Sequence, residues 1–218
     1  MSATKALRGE RRPDDRTQEL LEAALQVFAQ HGYRNTRLDD VAEAAGVTKG
    51  AIYHYFATKE ELLLRVVEHY QTLAFGRAED ALRDGRLPAT TRVRLLVRKL
   101  FSRQEGSRQH LLALLIRGVA HEVPRVHERW LRNGPARAWA LLGRLIDEGK
   151  ERGEFRPDAD GEVGARVLVS GLMLQLMWQQ HADAVPELAV DYDRLIDSSV
   201  ELFIASLRPA ATLGPEGA

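Results

Sequence analysis

Cysteine is absent from all 218 residues, so the chain can build no disulfide framework, cysteine-ligated metal site, thiol catalysis or thiol redox sensor. Nor is there a run of the roughly 18 apolar residues that a membrane span requires. The opening MSATKALRGERRPDDR lacks the apolar core of a secretory signal, and a cytoplasmic location is expected by elimination. An excess of charge is missing too: 31 Lys and Arg face 31 Asp and Glu, and the pI is near 7.1. A basic domain is the usual electrostatic footprint of nucleic-acid binding, so any phosphate-contacting surface here has to be local. With 44% hydrophobic residues the chain can nevertheless bury a sizeable core.

What is present is helical. No run alternates with period two, so strands are not expected and the fold class is all-α. Leu20, Leu21, Ala24, Leu25, Val27 and Phe28 form an apolar stripe that Gly32 ends from the C′ position. A short helix is predicted from Leu38 to Ala45 with Thr36 as its N-cap, and another from Thr48 to about His54. Thr58-Lys59-Glu60-Glu61 has capping-box spacing and opens a long helix through Leu62, Val66, His69 and Leu73. Beyond Gly85, longer helices are predicted at about 88–104, 108–121, 125–132, 136–152, 161–181 and 187–207, with prolines near starts and glycines near ends. The organisation expected is an arm at 1–13, a compact head at 14–74 with its helix-turn-helix at 37–56, a larger helical domain at 75–208, and a frayed tail at 209–218.

The stretch LDDVAEAAGVTKGAIYHYF carries the functional signal. Two helices crossing at a wide angle through a three- to four-residue turn make a helix-turn-helix. Ala42 is small where the helices must approach, Gly46 can take the positive φ that leaves the first helix, and Val47 plugs the corner. Ile52, with Val41 and Ala45, fills the space between, and Thr48 caps the second helix. The second helix of such a motif enters the major groove, where Lys49, Tyr53 and His54 supply a cation and hydrogen-bonding groups and Ala51 suits a thymine methyl. Gly50 sits in its first turn, although glycine inside a helix costs about 1 kcal/mol relative to alanine. It either clears a path for DNA or relieves crowding against the first helix. Lys59, in the first turn of the long helix, opposes the macrodipole. Either a phosphate reverses that sign at the helix N-terminus, or Lys59 is an ordinary solvated lysine. Thr36, at another helix start, can likewise cap and touch a phosphate.

With these elements in place, RTQELLEAALQVFAQHGYRNTRLDDVAEAAGVTKGAIYHYFATKEELLLRVVE resembles the N-terminal DNA-binding domain of the TetR family of transcriptional regulators. FAQHGY, the T-x-x-D-D-V-A-E-A-A-G-V-T-K-G-A-I-Y-H-Y-F run and T-K-E-E-L carry the likeness, over about a quarter of the chain. The resemblance implies an all-helical homodimer whose C-terminal domain binds a small effector. It implies a ligand-responsive factor, most often a repressor, that binds a palindromic double-stranded operator and needs no catalytic residue, metal or cofactor. On matching positions the DNA contacts are Thr36, Thr48, Lys49, Gly50, Ala51, Tyr53, His54 and Lys59, while Tyr55 and Phe56 pack the head against the long helix. A helical adaptor or an enzyme on the same scaffold are the alternatives. The enzyme lacks a nucleophile elbow, a phosphate-cradling loop and, because Pro124 interrupts HEVPRVHE, a metal pattern.

For the C-terminal domain the resemblance supplies architecture only. VGARVLVSGLMLQLMWQQ is apolar around most of its circumference and must be buried on more than one side. Gly164, Ser170 and Gly171 leave room for close helix approach, and the last helix repeats apolar residues from Leu188 to Leu207. These two helices are expected to form the dimer interface through Val167, Gly171, Leu174, Ile196, Val200 and Phe203, against the alternative of an intrachain core. Phe75, Leu111, Leu115, Trp130, Trp139, Met173, Met177 and Trp178 are candidates to line an effector pocket, because bulky apolar groups dominate such pockets, or else belong to the core.

Overall fold

The structure, a computed structural model, describes residues 13–101, 108–179 and 181–209. The expected arm, apart from Pro13, and all but the first residue of the expected tail lie outside them. Among the described residues there is no strand. The helices are α1 (Pro13–Asn35), α2 (Leu38–Ala44), α3 (Lys49–Tyr55), α4 (Lys59–Leu82), α5 (Ala89–Phe101), α6 (Arg108–Val119), α7 (Pro124–Asn133), α8 (Pro135–Glu151), α9 (Gly161–Gln179) and α10 (Tyr192–Leu207). The last predicted helix is shorter than expected. Residues Pro186–Leu188 make a 3-10 turn, and α10 begins only after Asp191, whose carboxylate accepts the Arg194 N–H at 3.1 Å. That local cap competes with helix continuation and wins.

Contacts group the chain into two compact units. The first takes residues up to Tyr70 together with Arg108–Arg129. Its core is built from Leu20, Leu25 and Phe28 of α1, Val41 and Ile52 of α2 and α3, Leu62, Leu63 and Val66 of α4, and Ile116 of α6, each almost wholly buried. Fully burying a side chain of this size contributes about 1.5–3 kcal/mol. The packing of α6 onto α1 joins segments about ninety residues apart in sequence, which no local pattern announces.

The second unit takes Gln71 onward to α5, then Trp130 to α10. Its core runs through Phe75, Leu96, Leu142, Ile146, Phe155, Leu168 and Ile204. Two glycines set helix spacing there. A Cβ on Gly164 of α9 would lie 2.8 Å from the Phe203 ring of α10, and one on Gly149 of α8 would strike the buried Phe155 ring. Glu154 closes the unit at one end, its carboxylate accepting the Ala89 and Thr90 N–H groups at 2.8 and 3.2 Å and so capping α5. Gly171, expected to admit a neighbouring helix, faces open space within the chain.

Ile196 and Val200, offered above as dimer-interface residues, are instead core: both are buried among α5, α8 and α9 side chains of the same unit. A side chain already enclosed by its own protomer has nothing left to present to a second one. On α9 and α10 the exposed large apolar residues are Val163, Val167, Leu174, Trp178 and Leu202. Trp178, also a candidate pocket residue, is thus partly open to solvent. Phe75 belongs to the core, with the Arg137 guanidinium 4.8 Å over its ring. Leu111 and Leu115 fall in the first unit, whereas Trp130, Trp139, Met173 and Met177 fall in the second.

Candidate nucleic-acid interface

The turn between α2 and α3 is built as its residues dictate. The Val47 N–H reaches the Ala42 carbonyl at 2.9 Å and the Gly46 N–H reaches that of Glu43 at 3.0 Å. This paired arrangement is a Schellman motif, and it needs a left-handed residue at Gly46, whose φ is +63°. Thr48 follows in an extended conformation and caps α3, its hydroxyl accepting the Ala51 N–H at 3.3 Å. Ala42, Val41 and Ile52 are buried between the two helices. The motif is thereby fixed from inside, and α3 is left with its outer face in solvent.

On that face stand Lys49, Gly50, Tyr53 and His54, with Ala51 half-buried and Thr48 exposed. Tyr53 is 54% exposed, a high value for a large aromatic ring. Phe56 is buried as expected, but Tyr55 stays on the surface. Gly50 decides between its two readings. A Cβ built on it meets no atom within 4 Å, and its φ is not positive. Crowding against α2 is therefore excluded, and nothing in the surrounding chain requires glycine there.

Two expected phosphate contacts have a different use. Gly32, at φ 74° and ψ 163°, breaks α1 and leaves its last carbonyls without helical partners. Side chains satisfy four of them in succession. Asn35 donates to the His31 carbonyl at 3.1 Å, and the Thr36 hydroxyl to that of Gly32 at 2.8 Å. The Lys59 ammonium donates to those of Tyr33 at 2.7 Å and Arg34 at 3.3 Å. Thr36 is buried, with its hydroxyl spent inward, and the N-cap of α2 is Arg37. The Arg37 N–H is received by the Asp40 carboxylate at 2.7 Å. Lys59 also lies 4.3 Å over the Tyr33 ring, and its burial lowers its pKa from the ordinary lysine value, against the pull of Glu122 and Asp40. Its position at the N-terminus of α4 is unfavourable locally but serves the C-terminus of α1, where a cation belongs. The predicted N-cap of α4 is present, the Thr58 hydroxyl accepting the Glu61 N–H at 3.1 Å, while the Glu61 carboxylate reaches one residue past the N-cap, to the Ala57 N–H at 2.9 Å.

Sequence reasoning places Asp39 of α2 three residues after Thr36, as part of a helix cap, and does not pair it with Lys49. Its carboxylate receives the Lys49 ammonium at 2.8 Å, and this hydrogen bond holds the lysine above its ordinary pKa. Likewise Arg34 pairs with Glu122 at 2.8 Å across the first unit. The signal available for the first pair was the acidic start of α2 beside a lysine that starts α3; for the second there was none.

The described residues contain no group of three His, Asp or Glu placed to hold a metal, and no helix among them is long and apolar enough to cross a membrane. An exposed, capped second helix carrying Tyr, His and Lys beside an unneeded glycine is a major-groove reader's geometry. Residues 20–66 match the model of the bacterial regulatory proteins of the tetR family. Residues 20–66 are a DNA-binding domain of the TetR type. Similar proteins include the HTH-type transcriptional repressor KstR2 of Mycobacterium tuberculosis, 29% identical over 168 residues that span 76% of this chain and 82% of that one. The fatty acid metabolism regulator protein of Bacillus subtilis is 26% identical over 154 residues, spanning 70% of this chain and 77% of that one. Among solved structures, the fatty acid degradation regulator FadR of Bacillus halodurans superposes with a TM-score of 0.72 at 23% identity. The match covers 90% of this chain and 97% of that one. With that domain and these relatives, the chain is a DNA-binding transcriptional regulator with an N-terminal helix-turn-helix and a helical C-terminal part.

Proposed function

We propose that this protein is a cytoplasmic homodimeric repressor of the TetR family that leaves its operator when a small apolar or amphipathic effector binds the C-terminal helices. Gly50 carries the DNA-reading half of this proposal. An exposed helix position with no intrachain reason to be glycine accepts a helix penalty of about 1 kcal/mol, and close approach of a DNA backbone supplies the missing reason. Tyr53, His54, Lys49, Ala51 and Thr48 surround it as base- and phosphate-contacting groups. Thr36 and Lys59 act one step back, by fixing the end of α1 beside the reading helix.

The exposed stripe Val163, Val167, Leu174 and Trp178 supports dimerisation through α9, with Gly171 leaving room in its middle and Leu202 and Phe203 of α10 flanking it. Two-fold symmetry then gives two reading helices for two half-sites. The apolar nature of the effector is supported by relatives named for ketosteroid and fatty-acid regulation. Coupling is reciprocal, so DNA weakens effector binding by the factor by which the effector weakens DNA binding.

The test is fluorescence anisotropy with labelled duplexes tiled across the DNA upstream of the chain's own gene. Salt-dependent, sequence-selective binding is expected, reduced at least tenfold by Tyr53→Ala with the circular dichroism spectrum unchanged. Equal affinity of the Tyr53→Ala variant for every duplex would remove α3 from the interface.

A further inference from the structure

We propose that Asp39 is a specificity-determining residue of the reading head, holding the leading cation of α3 in an intramolecular ion pair and so withholding it from non-specific phosphate contact. The inference rests on the DNA-binding reading above and assigns a regulatory role to a residue of α2 that makes no contact of its own with a base.

Three observations meet at this pair. Lys49 is the first residue of α3, and its ammonium lies 2.8 Å from the Asp39 carboxylate on the neighbouring helix. Lys59, the other lysine expected to meet phosphate, is committed to the Tyr33 and Arg34 carbonyls. Both lysines assigned to DNA are therefore engaged within the chain, which has a formal net charge of zero. Non-specific binding is supplied almost wholly by Lys and Arg side chains that neutralise phosphates and release DNA counterions, so tying up a lysine at the reading helix weakens binding to arbitrary DNA.

The pair is also built to exchange. The Lys49 side chain is 76% exposed, and an exposed ion pair is held by little. A phosphate brought alongside by a correctly docked α3 replaces the carboxylate, whereas a duplex sliding past without docked base contacts has to compete with it. Asp39 thus penalises the wrong site more than the right one, which is how specificity is raised by a repulsive or competing element. Glu43, one turn further along α2, adds to the negative field at Lys49 without an ion pair to it.

The experiment uses the full chain and a random-sequence duplex of about 30 base pairs, titrated between 50 and 300 mM salt. Asp39→Asn is expected to tighten this non-specific binding about two- to fivefold at 0.1 M salt. It is expected to steepen the slope of log K against log salt by about 0.9 for each head engaged. The same substitution in a Lys49→Ala background is expected to change neither quantity. If Asp39→Asn tightens binding equally in both backgrounds, simple repulsion of DNA by the carboxylate is the cause and the proposal is overturned. No tightening in either background overturns it as well. Failure of the parent chain to bind any duplex, random or upstream, is a separate result that removes the DNA-binding reading itself. Thermal unfolding of each variant identifies loss of fold, and Asp39→Ser then supplies the same removal of charge with a residue suited to a helix N-terminus.

Discussion

The ammonium of Lys59 lies 2.7 Å from the Tyr33 carbonyl oxygen and 4.3 Å from the centre of the same residue's ring. One cation thereby fastens the end of α1 to the start of α4, across twenty-six positions of sequence. A charge that looks misplaced on its own helix is well placed for its neighbour. The same end of α1 takes up Thr36 and Asn35, so the segment leading into the reading motif is held by side chains and not by helix continuation.

Replacing Lys59 with methionine keeps the stem and removes the ammonium. Hydrogen bonds from charged groups contribute about 1.5–3 kcal/mol when buried, and partial exposure here brings the expected loss to about 1–2 kcal/mol. The loss should be visible in urea unfolding without DNA. An unchanged midpoint would mean that the lysine is free in solution and available to phosphate after all.

How much of this was readable in advance differs by element. Gly46, Thr48, Thr58 and Glu61 act within three or four residues of themselves, and such local chemistry is written in the order of residues. Thr36 and Lys59 were legible as present but not in use, because their partners are the carbonyls that Gly32 frees by leaving helical geometry, and only the folded chain brings Lys59 to them. Ile196 and Val200 show a further limit. Helical periodicity identifies an apolar face without saying whether the same chain or a second copy covers it. Leu202, a single apolar residue on the opposite side of α10, carries no periodic signal and is exposed. The break at residues 189–191 depends on Asp191 preferring to cap, a choice that an apolar stripe through Leu188 conceals.

Gly50→Ala separates stability from function by sign. With no atom within 4 Å of the added methyl group, the substitution should stabilise the first unit by about 0.5–1 kcal/mol through helix propensity. Operator affinity should fall, because the methyl projects where DNA approaches. Paired urea titrations and anisotropy measurements check both directions. Tighter folding together with undiminished binding would show that the glycine serves neither purpose.

Gly149→Ala should behave in the opposite way. Its added Cβ would strike the Phe155 ring and lie 3.1 Å from that of Ala89, inside a core where neither neighbour has room to retreat. Overpacking of this kind costs about 1–3 kcal/mol. Calorimetry should show a lowered transition for the second unit. Phe155→Leu in the same chain should recover part of the loss by vacating the space. Full wild-type stability in Gly149→Ala alone would mean that the α8 end relaxes freely.

The α9 stripe makes the dimer proposal measurable. Val167 is 69% exposed in the single chain, so Val167→Glu places its carboxylate in water and should leave the monomer's helix content and unfolding midpoint within about 0.5 kcal/mol of the parent. In a dimer packed through α9 the same carboxylate would be buried without a partner, at a cost of several kcal/mol per symmetric pair, enough to dissociate the two copies at micromolar concentration. Sedimentation velocity should therefore find a dimer for the parent chain and a folded monomer for Val167→Glu. Ile196→Glu is the contrasting variant: its side chain is 1% exposed within its own unit, so it should unfold that unit whatever the oligomeric state. A Val167→Glu protein that remains fully dimeric would move the contact to another face, and the spacing of the two reading helices would have to be derived from that face instead.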